Sequence, residues 1–240
     1  LGFLLGVKAI SEAFGDSEYA LRLLPFLSGI AAVPIFAAML WQAARGSDGF
    51  RWETVIAGLL VFAAGKHLIY FSSELRHYST DVAIVCVLVV LAHWALASES
   101  AHPWRVAALA LTGLVSTWIV LSSVFVLGGI TGAYGVTSAA QGRFGRAAAV
   151  GAIGLLWLGS FWLHVQILDE NIAERGLQRE IETMNAMSWA PAPIDFEAFK
   201  WYRESFELMF YHPVGLTYRG LGGFAFLTGL VALWRRARTL

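Results

Sequence analysis

The chain has 240 residues, of which 58% are hydrophobic and only 14% are charged, whereas soluble domains carry about 25% charged residues. Its 17 basic and 17 acidic residues balance, so no excess of positive charge argues for a nucleic-acid partner. This composition excludes an ordinary soluble domain and predicts an all-α fold, a polytopic bundle of transmembrane helices.

The first predicted element is an amphipathic helix over residues 1–14, where apolar side chains recur at helical spacing up to Gly15. Membrane-spanning helices follow, each of which needs about 20 mostly apolar residues. The predicted spans cover residues 20–43, 53–72, 79–97, 146–167 and 219–235, with a longer uncharged stretch at 106–142.

The stretch 106–142 holds 37 residues without a formal charge, which is too long for one span. It is either a hairpin of two helices with a turn near Ser116–Ser123, or one helix followed by the glycine-rich loop Gly128–Gly135. Cytoplasmic loops collect Lys and Arg, and the hairpin puts most arginines on one side. These are Arg45, Arg51, Arg105, Arg143, Arg146, Arg235, Arg236 and Arg238. The hairpin therefore predicts seven spans, with the start outside and the end inside.

Three regions are predicted along the chain: a transmembrane core at 1–167, an extracytoplasmic segment at 168–218, and the last span with a basic tail at 219–240. Within the segment, Pro191 and Pro193 break any continuous helix. An aromatic amphipathic helix is predicted over 195–210, with Asp195 as its N-cap. Such a helix favours the membrane interface, here on the outer side.

The densest group of ionisable side chains lies at the predicted outer turn between the second and third spans. Ionisable groups close to the membrane are costly and therefore mark candidate sites. If residues 74–81 are helical, four of these side chains share one helix face, and Arg76 points away from it toward lipid headgroups or another helix. The four are Glu74, His77, Tyr78 and Asp81.

Each of these residues also has a structural interpretation. Lys66 could extend its amine to the interface as an ordinary snorkelling lysine. Tyr70 and Tyr78 fit an aromatic belt, while Glu74 and Arg76 could be solvated loop charges. A divalent metal is possible at His77 and Asp81, although two ligands are a weak metal signal.

Other candidates are more isolated. His164 and Asp169 lie at the outer end of the sixth predicted span. His93 and His102 are expected to be packing or loop residues near the inner face, and Tyr211–Pro213 reads as a turn into a helix. Cys86 lies in an apolar run and is expected to be a packing residue. The sequence lacks a phosphate-binding glycine loop, zinc-ligand spacing and a Gly-x-Ser-x-Gly elbow.

Two short motifs resemble those of GT-C membrane glycosyltransferases. Tyr70-Phe-Ser-Ser-Glu-Leu-Arg-His-Tyr-Ser-Thr-Asp81 is similar to a Tyr-Ser-x-Glu-x-(Arg/Lys)-x-Tyr-(Ser)-x-Asp stretch of the family 39 enzymes, the protein mannosyltransferases and the aminoarabinose-transferase-like proteins. Phe14-Gly-Asp-Ser-Glu-Tyr-Ala-Leu-Arg-Leu-Leu-Pro25 resembles the start of an early span in that family. The similar layout extends over essentially the whole chain.

The resemblance implies transfer of a sugar from a polyprenyl-phosphate donor to a lipid, glycan or protein acceptor outside the cytoplasm. It implies a cell-membrane protein of the bacterial inner-membrane type. Glu74, Arg76 and Tyr78 carry over as donor-site residues. Lys66, Arg76 and Arg22 are the cations expected to face the donor phosphate, with His77 and Asp81 as further substrate-binding residues.

The catalytic aspartate of that family lies in the first outer loop, which this resemblance puts upstream of Leu1. We therefore expect no catalytic base within these 240 residues. Two other classes stay open. A transporter or channel could use Lys66 and Asp81 along an ion path. A non-catalytic assembly subunit could share the topology without the acidic loop.

Overall fold

The computed structural model describes residues 2–45, 52–96, 102–174 and 196–211, and within these ranges the regular structure is entirely α-helical. The helices are α1 (Gly2–Phe14), α2 (Glu18–Arg45), α3 (Trp52–Ala63), α4 (Lys66–Ser72), α5 (Tyr78–Leu96), α6 (Pro103–Ile119), α7 (Ser123–Ala140), α8 (Phe144–Glu174) and α9 (Phe196–Tyr211). The predicted span 219–235, the proline pair and Asp195 lie outside the described residues.

Four of these helices, α2, α5, α7 and α8, are long and apolar enough to cross a membrane, judged by length and composition. Large apolar side chains point out from the bundle, among them Phe125 at 81% exposure and Leu155 at 70%. In water such exposure would be unfavourable, whereas lipid accepts it. The all-helical class predicted from composition is therefore confirmed over the described residues, and the four apolar helices support a membrane protein.

The predicted count of seven spans is not confirmed. The second predicted span, 53–72, is divided into α3 and α4 by Ala64 and Gly65, and neither helix is long enough to cross a bilayer alone. Gly65 has an extended backbone with ψ 109°, and glycine stabilises a helix interior less than most residues. Helix α6 has 17 residues, or about 26 Å at 1.5 Å per residue, short of the ~30 Å hydrocarbon core.

Between α6 and α7 the chain turns at Val120–Ser122, which confirms the two-helix alternative for residues 106–142. Val120 is extended, and the Ser123 amide donates a hydrogen bond to the Val120 carbonyl over 3.1 Å. The glycines of Gly128–Gly135 lie inside α7 and form no loop.

The helices predicted at 1–14 and 195–210 are present as α1 and α9. Helix α1 ends at Gly15, whose φ of 85° is readily adopted only by glycine. Helix α8 continues to Glu174, so the predicted boundary at 167 falls within a helix. The last turns of α8 contain neither Gly nor Pro, the residues that most strongly end a helix.

Helix α5 lies at the centre of the bundle and contacts α2, α4, α6 and α7. Its buried side chains join those of α6, α7 and α8 in one apolar core. The core includes Leu88, Ala92, Leu96, Leu109, Leu127, Ile130, Val150 and Trp157. Cys86 is 5% exposed and free, which agrees with a packing role.

Candidate functional site

The predicted site lies at the turn between α4 and α5, where residues 73–77 connect the two helices. Ser73 closes α4 by donating from both its amide and its hydroxyl to the Tyr70 carbonyl, at 3.0 and 2.7 Å. Helix α5 starts when the Asp81 amide donates to the His77 carbonyl over 2.9 Å. Since residues 74–77 are not helical, the predicted single helix face over 74–81 does not exist.

The first half of the turn forms a cluster around the Glu74 carboxylate. The Tyr70 hydroxyl donates a hydrogen bond to Glu74 Oε1, and Arg76 Nε lies 3.4 Å from Glu74 Oε2. The hydrogen bond to Glu74 and the negative charge of Glu74 raise the pKa of the Tyr70 phenol. This phenol therefore keeps its proton and acts as a donor.

Arg76 does not point away from the acidic residues, as the helical interpretation predicted. The Arg76 amide donates to the Glu74 carbonyl over 2.8 Å, a tight bend that brings residues two apart onto the same side. The Arg76 side chain is 59% exposed. Its guanidinium therefore keeps donors available to solvent or a ligand while it pairs with Glu74.

A second cluster forms around Asp81, at the first turn of α5. Asp81 Oδ2 lies 3.8 Å from His77 Nε2 and accepts a hydrogen bond from the Ser122 hydroxyl at 3.3 Å. Asp81 Oδ1 is buried and has no hydrogen-bond partner among the described residues. A buried carboxylate oxygen without a hydrogen-bond donor has a strong tendency to accept a hydrogen bond from water or a ligand.

Ser122 was missed by sequence reasoning, because it belongs to the α6–α7 turn, 41 residues away from Asp81. The predicted hairpin could have indicated this contact, since it put the α6–α7 turn on the same side of the membrane as residues 73–77. A contact between residues so far apart in the sequence can be identified only once the packing of the helices is known. The aromatic neighbour of His77 was missed for the same reason: the Phe3 ring in α1 lies 6.2 Å from it.

The Tyr78 ring contacts two aromatic neighbours at the turn. It lies 4.6 Å from the Phe71 ring and 4.8 Å from the His77 ring. Such contacts stabilise a ring beyond its buried area. Tyr78 is 38% exposed, so part of this residue is accessible at the surface of the turn.

Two predicted cations are not brought into this site. Arg22 forms an ion pair with Glu18 one turn earlier on α2. Lys66 is exposed at the start of α4, six residues before Ser72, and no hydrogen bond or ion pair joins it to the clusters within the described part of the chain. Arg76 is therefore the predicted cation that the fold brings to the turn.

Beside the turn, a cavity of about 160 Å³ lies between α2, α3, α4 and α5. Its walls are almost entirely apolar, and the two hydroxyls among its lining residues belong to Ser72 and Ser79. Ser72 donates to the Ile69 carbonyl over 2.7 Å. The Ser79 hydroxyl is buried without a partner among the described residues. Since both serines flank residues 73–77, the cavity adjoins the polar turn.

The other predicted candidates lie apart from this site. His164 is fully buried between α6 and α8, with Nδ1 2.7 Å from the Thr117 carbonyl, whereas Asp169 is exposed. His93 and His102 are exposed. The side chains of Tyr211–Pro213 lie outside the described residues.

No group of three or more His, Cys, Asp and Glu side chains that could hold a metal ion occurs within the described ranges. His77 and Asp81 alone would supply two ligands, fewer than the protein ligands of a typical zinc or calcium centre.

Comparison with known protein families, curated proteins and solved structures found no match to this chain.

Proposed function

We propose that this chain is part of an integral-membrane glycosyltransferase that uses a polyprenyl-phosphate sugar as donor. One observation carries the proposal: an apolar cavity between membrane helices adjoins a turn that presents Glu74, Arg76 and Tyr78. A polyprenyl-phosphate sugar has the same two parts, an apolar chain and an anionic head. The motif resemblance points to the same ligand independently of the geometry.

In this proposal the first isoprene units of the donor occupy the cavity between α2 and α5. Its small volume of about 160 Å³ suits a short segment of the chain, while the rest extends along the lipid-facing surface. Gly29 permits this arrangement by letting α2 and α4 approach closely. A Cβ atom at Gly29 would lie 2.6 Å from Ser72 Cβ, closer than packed side chains allow.

The donor phosphate then lies at the turn, where Arg76 is the available cation. Arginine binds phosphate through paired, charge-assisted hydrogen bonds. Glu74 fixes the Arg76 guanidinium at 3.4 Å and holds the Tyr70 hydroxyl. The role of Glu74 is therefore to position Arg76, and that of Arg76 is to stabilise the negative charge of the leaving phosphate.

The Asp81 cluster is the proposed site for hydroxyl groups of the sugar or the acceptor, since Asp81 Oδ1 is an acceptor without a donor. In the transfer step, the acceptor oxygen forms a bond to the sugar's anomeric carbon. The bond between that carbon and the phosphate oxygen breaks, its electron pair leaves with the polyprenyl phosphate, and the acceptor proton passes to a base.

Donor binding is testable with the purified chain in detergent, using a polyprenyl phosphate that carries a photoreactive group on an early isoprene unit. Crosslinks are expected in peptides of α2, α4 and α5. The variant Gly29→Leu, whose side chain would collide with Ser72 and disrupt this wall of the cavity, should reduce crosslinking at least several-fold. Gly132→Leu, at a glycine with open space around it, is the matched control.

Crosslinks spread evenly over all spans, unaffected by Gly29→Leu, would overturn donor binding at this cavity. Transfer is measured separately, in membranes of cells that express the complete gene, with a labelled polyprenyl-phosphate sugar. Glu74→Gln should lower transfer about ten-fold or more, the effect of losing a positioned charge in a polar site. Glu12→Gln, which removes a carboxylate from the exposed Lys8–Glu12 pair, should leave transfer unchanged.

A further inference from the structure

The imidazole of His77 has neighbours from two helices, although the residue itself belongs to the turn between α4 and α5. The Phe3 ring of α1 lies 6.2 Å from it, at an interplanar angle of 70°, and the Tyr78 ring of α5 lies 4.8 Å from it. Nε2 of the imidazole lies 3.8 Å from Asp81 Oδ2. These contacts restrict the orientation of the ring.

The carboxylate beside the imidazole is itself fixed in place. The Asp81 amide donates to the His77 carbonyl over 2.9 Å, which sets the two residues one helical turn apart. The Ser122 hydroxyl donates over 3.3 Å to Oδ2, the same oxygen that faces His77. A carboxylate in this position orients an imidazole and stabilises the positive charge that forms when the ring takes up a proton.

His77 is the most accessible of the groups at this turn that could accept a proton. Its side chain is 54% exposed, whereas that of Asp81 is 18% exposed. The two carboxylate oxygens of Glu74 already contact Tyr70 and Arg76. Histidine is also the side chain that most often transfers protons in enzymes. Exposure and chemistry therefore both favour His77 as the group that meets an acceptor hydroxyl.

Other ionisable groups in the turn and on α1 form ion pairs of their own. These pairs are Glu74–Arg76, at 3.4 Å within the turn, and Lys8–Glu12, at 3.8 Å on α1. The contribution of α1 next to the imidazole is the uncharged Phe3 ring. Asp81 is therefore the carboxylate that faces His77 among the described residues.

We propose that His77 is the general base of the transfer step and that Asp81 is its positioning residue. His77 takes the proton of the acceptor hydroxyl while the acceptor oxygen bonds to the anomeric carbon. The bond from that carbon to the phosphate oxygen breaks, and its electron pair leaves with the polyprenyl phosphate. The imidazolium then releases its proton to water. This role of His77 rests on the proposed function, and it departs from the expectation that these 240 residues hold no catalytic base.

The test is the transfer assay in membranes of cells that express the complete gene, with kcat and KM measured over a range of pH. His77→Gln keeps a hydrogen-bond donor for Asp81 but cannot take up a proton, so kcat should fall about 100-fold or more. KM for the donor should stay within about two-fold, since the loss is confined to the transition state. Wild-type transfer should decrease as the pH is lowered, because an imidazolium cannot accept the proton. The residual transfer of His77→Gln should lack this decrease.

Two further variants separate proton transfer from folding. His77→Ala should regain part of its transfer when imidazole is added to the buffer, a recovery that a purely structural role would not produce. His93→Gln, at an exposed histidine further along α5, is the matched control and should transfer like wild type. Donor crosslinking of purified His77→Gln should equal that of wild type.

The outcomes distinguish His77 from the proposed function. If wild type transfers sugar and His77→Gln stays within about three-fold of it, the role of His77 is wrong and the proposed function stands. If His77→Gln loses crosslinking as much as transfer, His77 acts in binding or folding and is not the base. If wild type transfers no sugar from any polyprenyl-phosphate donor, the proposed function and this role of His77 fail together.

Discussion

Trp157 occupies the space above Gly113 that any larger residue at that position would need. The Trp157 ring is 1% exposed, and its indole Nε1 donates a hydrogen bond to the Ala110 carbonyl over 2.9 Å. Gly113 follows Ala110 by nearly one turn on α6, so one glycine lets α8 approach close enough for this bond. This contact determines how closely α6 and α8 pack against each other.

Gly113→Ala should destabilise the bundle, because the added methyl group collides with the indole and not with a flexible side-chain end. Overpacking of this kind costs about 1–3 kcal/mol. Thermal unfolding in detergent, followed by circular dichroism, measures the loss. Gly132→Ala on α7, where nothing lies within 4 Å, is the control and should be neutral or slightly stabilising. Equal losses in both variants would contradict the contact.

His164→Phe should destabilise the contact between α6 and α8. Since a carbonyl oxygen only accepts, His164 Nδ1 carries the hydrogen that it donates to Thr117 at 2.7 Å. Phenylalanine keeps the stack on Trp118, whose centroid is 5.0 Å away, but lacks this donor. The expected loss is about 1–3 kcal/mol.

His164→Asn puts an amide donor close to the position of Nδ1 and should recover part of that loss. His93→Phe, at an exposed position on α5, should change stability by less than about 0.5 kcal/mol. The same unfolding assay separates the three variants. If Phe and Asn at position 164 behave alike, the hydrogen bond to Thr117 does not contribute.

Under the proposed function, Ser122→Ala should reduce sugar transfer about ten-fold or more in membranes that carry the protein, the effect of losing one hydrogen bond to a charged group. Ser122 is expected to position Asp81 through the 3.3 Å contact to Oδ2. Ser122→Thr keeps the hydroxyl and should retain most transfer. Asp81→Asn should have the larger effect, since it removes the charge itself.

The control for this series is Thr137→Ala, which removes a hydroxyl that bonds only to the Ala133 carbonyl within α7 over 2.6 Å. Its transfer should match wild type. A Ser122→Ala protein with full transfer at every acceptor concentration would remove Ser122 from the site, and an Asp81→Asn protein with full transfer would remove the whole cluster.

Cysteine labelling should report which turns share a side of the membrane. Cys86 is buried and is replaced by Ala, and single cysteines are then introduced at Ser73, Leu121 and Gln141. A membrane-impermeant maleimide applied to one side should label Ser73→Cys and Leu121→Cys together, because the contact between Ser122 and Asp81 brings their turns to one end. Gln141→Cys, in the turn between α7 and α8, should be labelled only from the other side. Labelling of all three positions from one side would contradict a membrane-crossing α7, which separates Leu121 from Gln141.

The location of the polar turn could be predicted from sequence, because ionisable residues between two apolar runs are rare and conspicuous. Its internal geometry could not. The helical periodicity of 74–81 put Glu74 and Asp81 on one face, yet the chain bends at 73–77 and separates them into two clusters. Local hydrogen bonds of Ser73 and Arg76, each with an acceptor two or three residues away, outweigh a helical pattern that has little apolar surface to bury.

The number of spans could likewise be predicted only in part from the sequence. Apolar run length predicted helical structure over 53–72, but length alone does not register the break at Ala64 and Gly65. Hydropathy averages over about 20 residues, whereas a helix is interrupted by one or two. The turn at Val120–Ser122 was predictable because the distribution of charged residues around it constrained the topology.

The sequence by itself determined the helical class, the apolar runs long enough to cross a membrane and the residues that form the polar turn, because composition and apolar run length do not depend on how the helices pack. Only the tertiary structure decided which side chains meet. It brought Ser122 to Asp81, placed a cavity beside Ser79 and set the Phe3 ring beside His77. Contacts of this kind depend on how helices cross, and the crossing is fixed by packing details such as Gly113 against Trp157, which no pattern along the chain encodes.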